Sequence, residues 1–208
     1  MIRLVLMAAG QATRMGRDKL ALPWRGGTVL NYVLREVLRG THLTGDMGLG
    51  QSNQIVVISR RPMPEYLSAE VCQAFAEAKG VWRLAPGPQP VSATIRQGLA
   101  ELTDLVTGIG FLPGDQVGVK SEELTALLRA FADVPDILAP VNNSGKGAPV
   151  FFHRRYVSDL LSLQGEEGGR KVMEKYLERI RTVPVCPGFF ADVDTPEDYA
   201  RLYQLATQ

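Results

Sequence analysis

The 208-residue chain is poor in the residues that build covalent frameworks and soft metal sites. It has two cysteines, Cys72 and Cys186, and two histidines, His42 and His153. Lone cysteines without C-x-x-C spacing suggest neither a disulfide framework nor a thiolate metal site. Two histidines argue against a zinc centre or a Ser-His-Asp triad. No apolar run approaches the ~20 residues that a membrane span needs. The opening MIRLVLMAAG is too short for a secretory signal and reads as a strand. Net charge is also lacking: 23 Lys and Arg balance 22 Asp and Glu, giving +1. No global field then draws the chain to nucleic acid or an anionic membrane, and any positive site must be local. Repeats and low-complexity tracts are absent. The expectation is a cytoplasmic protein with no nucleic-acid or membrane partner.

What is present is ordinary globular material, 45% hydrophobic and 22% charged. Short β-branched runs at 2–7, 54–59, 81–85, 107–112, 136–141 and 148–152 read as buried strands. Amphipathic stretches at 28–39, 65–79, 91–103, 121–132, 154–163 and 168–179 alternate with them as helices. Such alternation implies right-handed βαβ units, hence one α/β domain with a mainly parallel sheet and helices on both faces. In TPEDYARLYQLA, Thr195 suits an N-cap and Pro196 the first helical position, with Glu197 and Asp198 at the positive end of the helix dipole. The polar, Gly-rich segment 40–53 reads as a surface loop.

The most informative stretch follows the first strand: LMAAGQATRMGRDKLALPW, residues 6–24. Small residues beside cations suit an anion, because backbone N–H groups can approach it while Arg and Lys neutralise its charge. Two standard phosphate devices fail on spacing. A P-loop needs G-x-x-x-x-G-K-S/T, but Gly10 and Gly16 are followed by Arg-Asp-Lys19; a dinucleotide fingerprint needs a helix where Pro23 stands. What remains is a long loop at the C-terminal end of the first strand, the edge where open α/β sheets bind ligands.

Five motifs in order, spanning nearly the whole chain, resemble those of MobA-like nucleotidyltransferases, and within them the molybdenum cofactor cytidylyltransferases. They are A-A-G-x-x-x-R-M-G-x-x-K with Leu-Pro-Trp behind it, Ser92–Gly98 (SATIRQG), Leu112–Gln116 (LPGDQ), Gly145–Pro149 (GKGAP) and Asp192–Asp198 (DVDTPED). The resemblance implies a single Rossmann-like three-layer domain of the nucleotide-diphospho-sugar transferase type, with residues 1–104 as the nucleotide-binding half and 105–208 as the metal- and acceptor-binding half. It implies transfer of a nucleoside monophosphate from an NTP to an acceptor phosphate, with release of pyrophosphate. Such chemistry asks the protein chiefly to align groups and neutralise charge.

Carried over residue by residue, Ala8, Ala9, Gly10, Met15 and Gly16 line the triphosphate, Arg14 grips the β- and γ-phosphates, and Lys19 stabilises charge at the α-phosphate. Ser92 and Gly114 complete the nucleotide site, with Ser92 alone equally readable as a helix cap. Asp115 and Asp192 hold Mg²⁺ or Mn²⁺, hard cations that take one or two carboxylates plus phosphate oxygens. Extended backbone would turn Asp192 and Asp194 to one face, with Asp194 a cap or a support behind the metal. Thr94, Arg96, Gly147 and Pro149 fall where relatives support the acceptor. Phe189 and Phe190 read as core rather than as a pterin wall.

The chain departs from the pattern in its Pro-rich Leu84–Pro90, in Ala148, where relatives often carry histidine, and in Pro113. The leading expectation is CMP transfer from CTP to molybdopterin or its molybdenum-loaded form, with a molybdenum hydroxylase or its chaperone as a possible partner. Sister readings are the same chemistry on a sugar, polyol or methylerythritol phosphate, and a non-catalytic chaperone that delivers the cofactor. CTP is expected over GTP by resemblance first, and second because the Ala9 methyl and a Trp24 wall stiffened by Pro23 would narrow the cleft.

Overall fold

The computed structural model describes residues 1–10, 15–45, 53–133 and 136–207. It begins with β1 (Ile2–Ala8), an apolar strand buried at every residue but Met7. A short ribbon, β2 (Pro23–Trp24) and β3 (Gly27–Thr28), leads into α1 (Val29–Gly45). Then follow β4 (Gln54–Ser59), α2 (Ala69–Glu77), β5 (Val81–Leu84), α3 (Val91–Leu99), β6 (Gly108–Pro113) and α4 (Ser121–Asp133). The second half comprises β7 (Ile137–Asn142), β8 (Gly145–Lys146), β9 (Val150–His153), α5 (Val157–Leu161), α6 (Gly169–Lys175), β10 (Ile180–Pro184) and α7 (Pro196–Thr207).

The main sheet runs β10-β7-β9-β6-β1-β4-β5, with β8 on β7. β1 pairs in parallel with β4 and β6, β4 with β5, and β10 with β7. Two strands run against the rest, β9, antiparallel to both β6 and β7, and the short β8, antiparallel to β7, so the sheet is mixed rather than uniform. Side chains alternate across β1. Leu4 and Leu6 join the layer that holds α1 and α4, while Val5 joins the layer that holds α3, α5 and α6. Helices therefore cover both faces, as the alternating pattern requires.

Arg3 also faces the α3 side and is almost wholly buried. Its guanidinium donates to the carbonyls of Gly98 (3.0 Å), Ala100 (2.7 Å) and Glu101 (3.0 Å), and its Nε to Gln54 Oε1 (2.7 Å). Arg83 adds a bond to the Gln97 carbonyl at 2.6 Å. The carbonyl end of α3 is thus satisfied by two cations, where the helix dipole is negative. Gly98 lets α3 lie close on the sheet, because a Cβ there would sit 2.6 Å from Val5 Cγ1.

Several helices are shorter than the sequence reading, α2, α3 and α5 among them, and two boundaries change an element's type. The segment 40–45 is the end of α1, not loop; 46–52 lie outside the described residues. Packing overrides the weak propensity of that stretch. Thr125 Oγ1 donates to the Gly40 carbonyl (3.1 Å) and Ser121 N to Glu36 Oε2 (3.0 Å), stapling α1 to α4. The helix expected through 179 stops at Lys175, and β10 follows as an edge strand too exposed to show an apolar run. The Thr195 cap is present: its Oγ1 accepts from Asp198 N at 3.1 Å. Among the described residues no helix is long and apolar enough to cross a membrane.

Candidate active site

β1, β4 and β6 end at one level, with Ala8 opposite Ser59 and Met7 opposite Pro113. The loop leaving β1 is re-formed by Asp18, which caps a 3-10 turn over Lys19–Ala21 by accepting from Leu20 N at 3.1 Å. The same carboxylate accepts from the Tyr66 hydroxyl (2.7 Å) and pairs with Arg61 Nε (3.1 Å). Burial first, and the Asp18 contact second, hold the Tyr66 phenol well above its ordinary pKa. The Leu20 N and Tyr66 bonds fix the turn that presents Lys19, and the half-exposed Arg61 adds a weak surface pair.

The Lys19 ammonium is ion-paired with Asp115 and lies 2.9 Å from Asp194 Oδ1. Desolvation opposes its charge, but the Asp115 and Asp194 carboxylates outweigh that and raise its pKa. Asp115 stands two residues past the end of β6. The 191–194 segment reaches it through backbone bonds, Val193 N to Asp115 O (3.2 Å) and Gly118 N to Ala191 O (2.9 Å). Only glycine permits that crossing, since a Cβ on Gly118 would lie 2.0 Å from the Gly188 carbonyl oxygen. The segment is not a regular strand, yet the expected alternation holds. Val193 is fully buried while Asp194 meets Lys19.

Asp115 and Asp194 therefore flank one ammonium, and Asp192 lies near enough to feel the charge of all three. Although Asp192 keeps solvent access as a residue, its carboxyl is pushed up to about 6 by desolvation, then by the charges of Asp194 and Asp115; Lys19 pulls the other way. A surplus of oxygen donors and negative charge fits a hard divalent cation, which needs only one or two carboxylates besides phosphate and water. Among the described residues no three such side chains already surround one point; Lys19 fills the space between Asp115 and Asp194.

Three cavities open along this edge, and Met7 lines them all. A cleft of about 120 Å³ holds Ala8, Gly10, Lys19, Arg60 and Asp115. Beside it, about 470 Å³ is bounded by Gly10, Gln89, Val91, Thr94 and Glu166. The widest, about 670 Å³, has an apolar floor of Phe111, Phe152 and Met173, with Lys146, Gly147 and Arg170 at its sides. Gln116, buried, donates from Nε2 to the carbonyls of Ala148 and Phe189, both at 2.9 Å, and so ties the Asp115 turn to the wall around Pro149.

Several expected site residues lie elsewhere. Ser92 is fully buried; its Oγ accepts from Arg96 (3.4 Å), whose Nη1 donates to the Leu163 carbonyl (2.6 Å). The two pin the loop beyond α5 and line none of the three cavities. Ala9 is in the core with Val5 and Ile58, and Met15 is buried in the opposite layer. Trp24, expected as a cleft wall, is 4% exposed and packs against Tyr32, Tyr199 and Tyr203. Gly16 is exposed, and Gly114 gives close packing against Ala8 and Leu30. Phe189 is core, as expected. Arg14 lies outside the described residues. Sequence reasoning missed Arg60, Gln89, Gln116, Lys146 and Arg170. Gln116 and Lys146 sit inside the LPGDQ and GKGAP motifs, and Arg60 carried a signal as a cation just past the end of a buried strand.

The chain is 25% identical to the purine catabolism protein PucB of Bacillus subtilis (strain 168), over 94% of this chain and 92% of the relative. It is 23% identical to a probable molybdenum cofactor guanylyltransferase of Bacillus cereus (strain G9842), over 95% and 93% of the two chains. Its fold matches that of Rv0371C from Mycobacterium tuberculosis H37Rv, solved in complex with manganese, with a TM-score of 0.68, 24% identity and 98% of each chain covered. The family model of the MobA-like NTP transferase domain matches residues 4–180. With that match running from β1 to the start of β10, the chain belongs to the MobA-like NTP transferase family.

Proposed function

We propose that this protein is a metal-dependent cytidylyltransferase that moves CMP from CTP to the phosphate of molybdopterin or its molybdenum-loaded form. The observation that carries the transferase reading is the Lys19 ammonium held between Asp115 and Asp194, with Asp192 alongside, at the strand edge where three cavities meet. An acceptor phosphate oxygen attacks the α-phosphorus, the bond to the bridging oxygen breaks, and pyrophosphate leaves. Lys19 stabilises the charge that gathers on the α-phosphate, and Ala8 and Gly10 offer backbone N–H groups along the cleft. Asp115 and Asp192 would hold Mg²⁺ or Mn²⁺, which supplies further charge neutralisation at the phosphates. The middle cavity, with Gln89 and Thr94, suits the base, and the wide one the ring system of the acceptor. On this reading residues 1–104 bind nucleotide and 105–208 bring metal ligands and acceptor walls, with Glu166 crossing over to the base cavity.

CTP is favoured by the A-A-G and Leu-Pro-Trp resemblance. The same transfer from GTP is favoured by the guanylyltransferase name of a relative, and by Ala9 and Trp24 lying in the core, where neither narrows the cleft. Pyrophosphate release from each NTP, with and without molybdopterin, decides. Release from CTP only with molybdopterin is expected. A higher kcat/KM for GTP overturns the cytidylyl assignment and keeps the transfer chemistry; no release from any NTP overturns both.

A further inference from the structure

Arg60 stands just past β4, where Ser59 is level with Ala8, and it lines the 120 Å³ cleft with Gly10, Lys19 and Asp115. The residue after it is anchored: Arg61 N donates to Ser59 Oγ (3.2 Å), and the Arg61 carbonyl accepts from Trp82 Nε1 (3.1 Å). The side chain is 22% exposed, and its Nε is buried with no hydrogen-bond partner among the described residues. The near carboxylate is Asp18, 3.9 Å from Nη2. That carboxylate is already engaged by Leu20 N, the Tyr66 hydroxyl and, at 3.1 Å, Arg61 Nε. Lys19 differs, since its charge is spent on Asp115 and Asp194. Of the two cleft-lining cations, Arg60 is the one whose donors are largely unspent.

We infer that Arg60 binds the outer two phosphates of the nucleotide substrate, which leave together as pyrophosphate. The inference rests on the nucleotidyltransferase reading: with the α-phosphate at Lys19, the remaining phosphates have to occupy the same narrow cleft. A planar guanidinium offers them two parallel charge-assisted hydrogen bonds. A buried donor without a partner is costly, so a ligand that supplies the acceptor gains from it.

The test is equilibrium binding by calorimetry, without acceptor and with Mn²⁺ present, of pyrophosphate, CTP, GTP, CMP and GMP. Arg60→Ala is expected to weaken pyrophosphate and triphosphate binding by about 10–30-fold, the range for losing a charged hydrogen-bond donor. The monophosphates, which lack the outer groups, should bind as to wild type. Arg60→Lys should recover part of the loss. Arg61→Ala, which removes the closer partner of Asp18, should change pyrophosphate affinity by less than about threefold. Equal pyrophosphate binding by wild type and Arg60→Ala overturns the inference alone. So does equal weakening of mono- and triphosphates, or an Arg61→Ala loss as large as that of Arg60→Ala, since either places the effect in the Asp18 turn. A wild-type protein that binds neither pyrophosphate nor any NTP overturns the functional reading as well.

Discussion

The charged cleft around Lys19 and the wide cavity beyond Gly147 share Met7 and one sheet edge, yet they are built in opposite ways. The cleft is small, and half of its lining residues are ionic: Lys19, Arg60, Asp18 and Asp115. The cavity is more than five times larger, has an aromatic and aliphatic floor, and keeps its charges, Lys146, Arg170 and Glu174, among its side walls. A narrow ionic cleft suits a phosphate chain, whose shape is the same in every nucleotide. A broad apolar floor suits a ring system, whose identity is set by shape and a few polar groups. On the proposed function chemistry and selectivity are housed apart, and substitutions in the two places should fail differently.

The sharpest break is Lys19→Ala. A preorganised charge is lost where negative charge develops, so turnover should fall about 10²–10³-fold while nucleotide affinity changes far less. Steady-state kinetics beside direct NTP binding checks this; near-wild-type turnover would remove Lys19 from the chemistry.

Next is the carboxylate cluster. Asp115→Ala should weaken Mn²⁺ binding, read by electron paramagnetic resonance, by more than the about 10–100-fold typical of an outer supporting group. EDTA should stop the wild-type enzyme reversibly. Metal affinity should also fall as pH drops below about 6, because the raised Asp192 carboxyl then takes a proton that competes with the ion. Stability responds with the opposite sign. The folded state binds that proton more tightly than the unfolded chain, so this group favours folding increasingly as pH falls from about 6 toward its ordinary value of 3.8. Metal titrations and thermal melts at pH 7 and pH 5 separate the two effects.

Smaller changes belong to the wide cavity. Lys146→Ala and Arg170→Ala should each raise the acceptor KM by about 5–10-fold, the worth of one partly exposed charged contact, and leave the NTP KM unaltered. A rise in the NTP KM instead would merge the two sites. The smallest effect expected is on base choice in Ala9→Gly. Its methyl is packed in the core, so the CTP to GTP ratio should shift less than about twofold, while about 1 kcal/mol of stability is lost, measured by denaturant titration.

The contrast also decides what could be read from sequence. Central strands are legible because burial on two faces demands unbroken apolar runs such as IRLVLM. β10 is not, since an edge strand with mostly exposed residues leaves no such run. Lys19, Asp115, Asp192 and Asp194 are legible because short motifs place them on turns whose backbone geometry is local. Gln116 and Lys146 lie inside quoted motifs whose other residues drew the reading, whereas Arg60 and Arg170 stand outside every motif, and the local sequence does not tell that both will meet the same sheet edge. Trp24 shows the reverse error. An aromatic beside a phosphate loop suggests a ligand wall, whereas the ribbon that carries it turns the indole inward against α1 and α7.

The two arginines on the carbonyl end of α3 have a mechanical consequence. The helix has nine residues and is about 13 Å long. Arg3 and Arg83, from β1 and β5, grip Gln97, Gly98, Ala100 and Glu101 at one end. Val91 and Thr94 form a cavity wall near the other. A short helix neither stretches nor slides when one end is bolted to the sheet by charged bonds. The Thr94 hydroxyl is therefore set at a fixed distance from the strand that also carries Ala8, and the cavity of about 470 Å³ and the charged cleft share one rigid ruler.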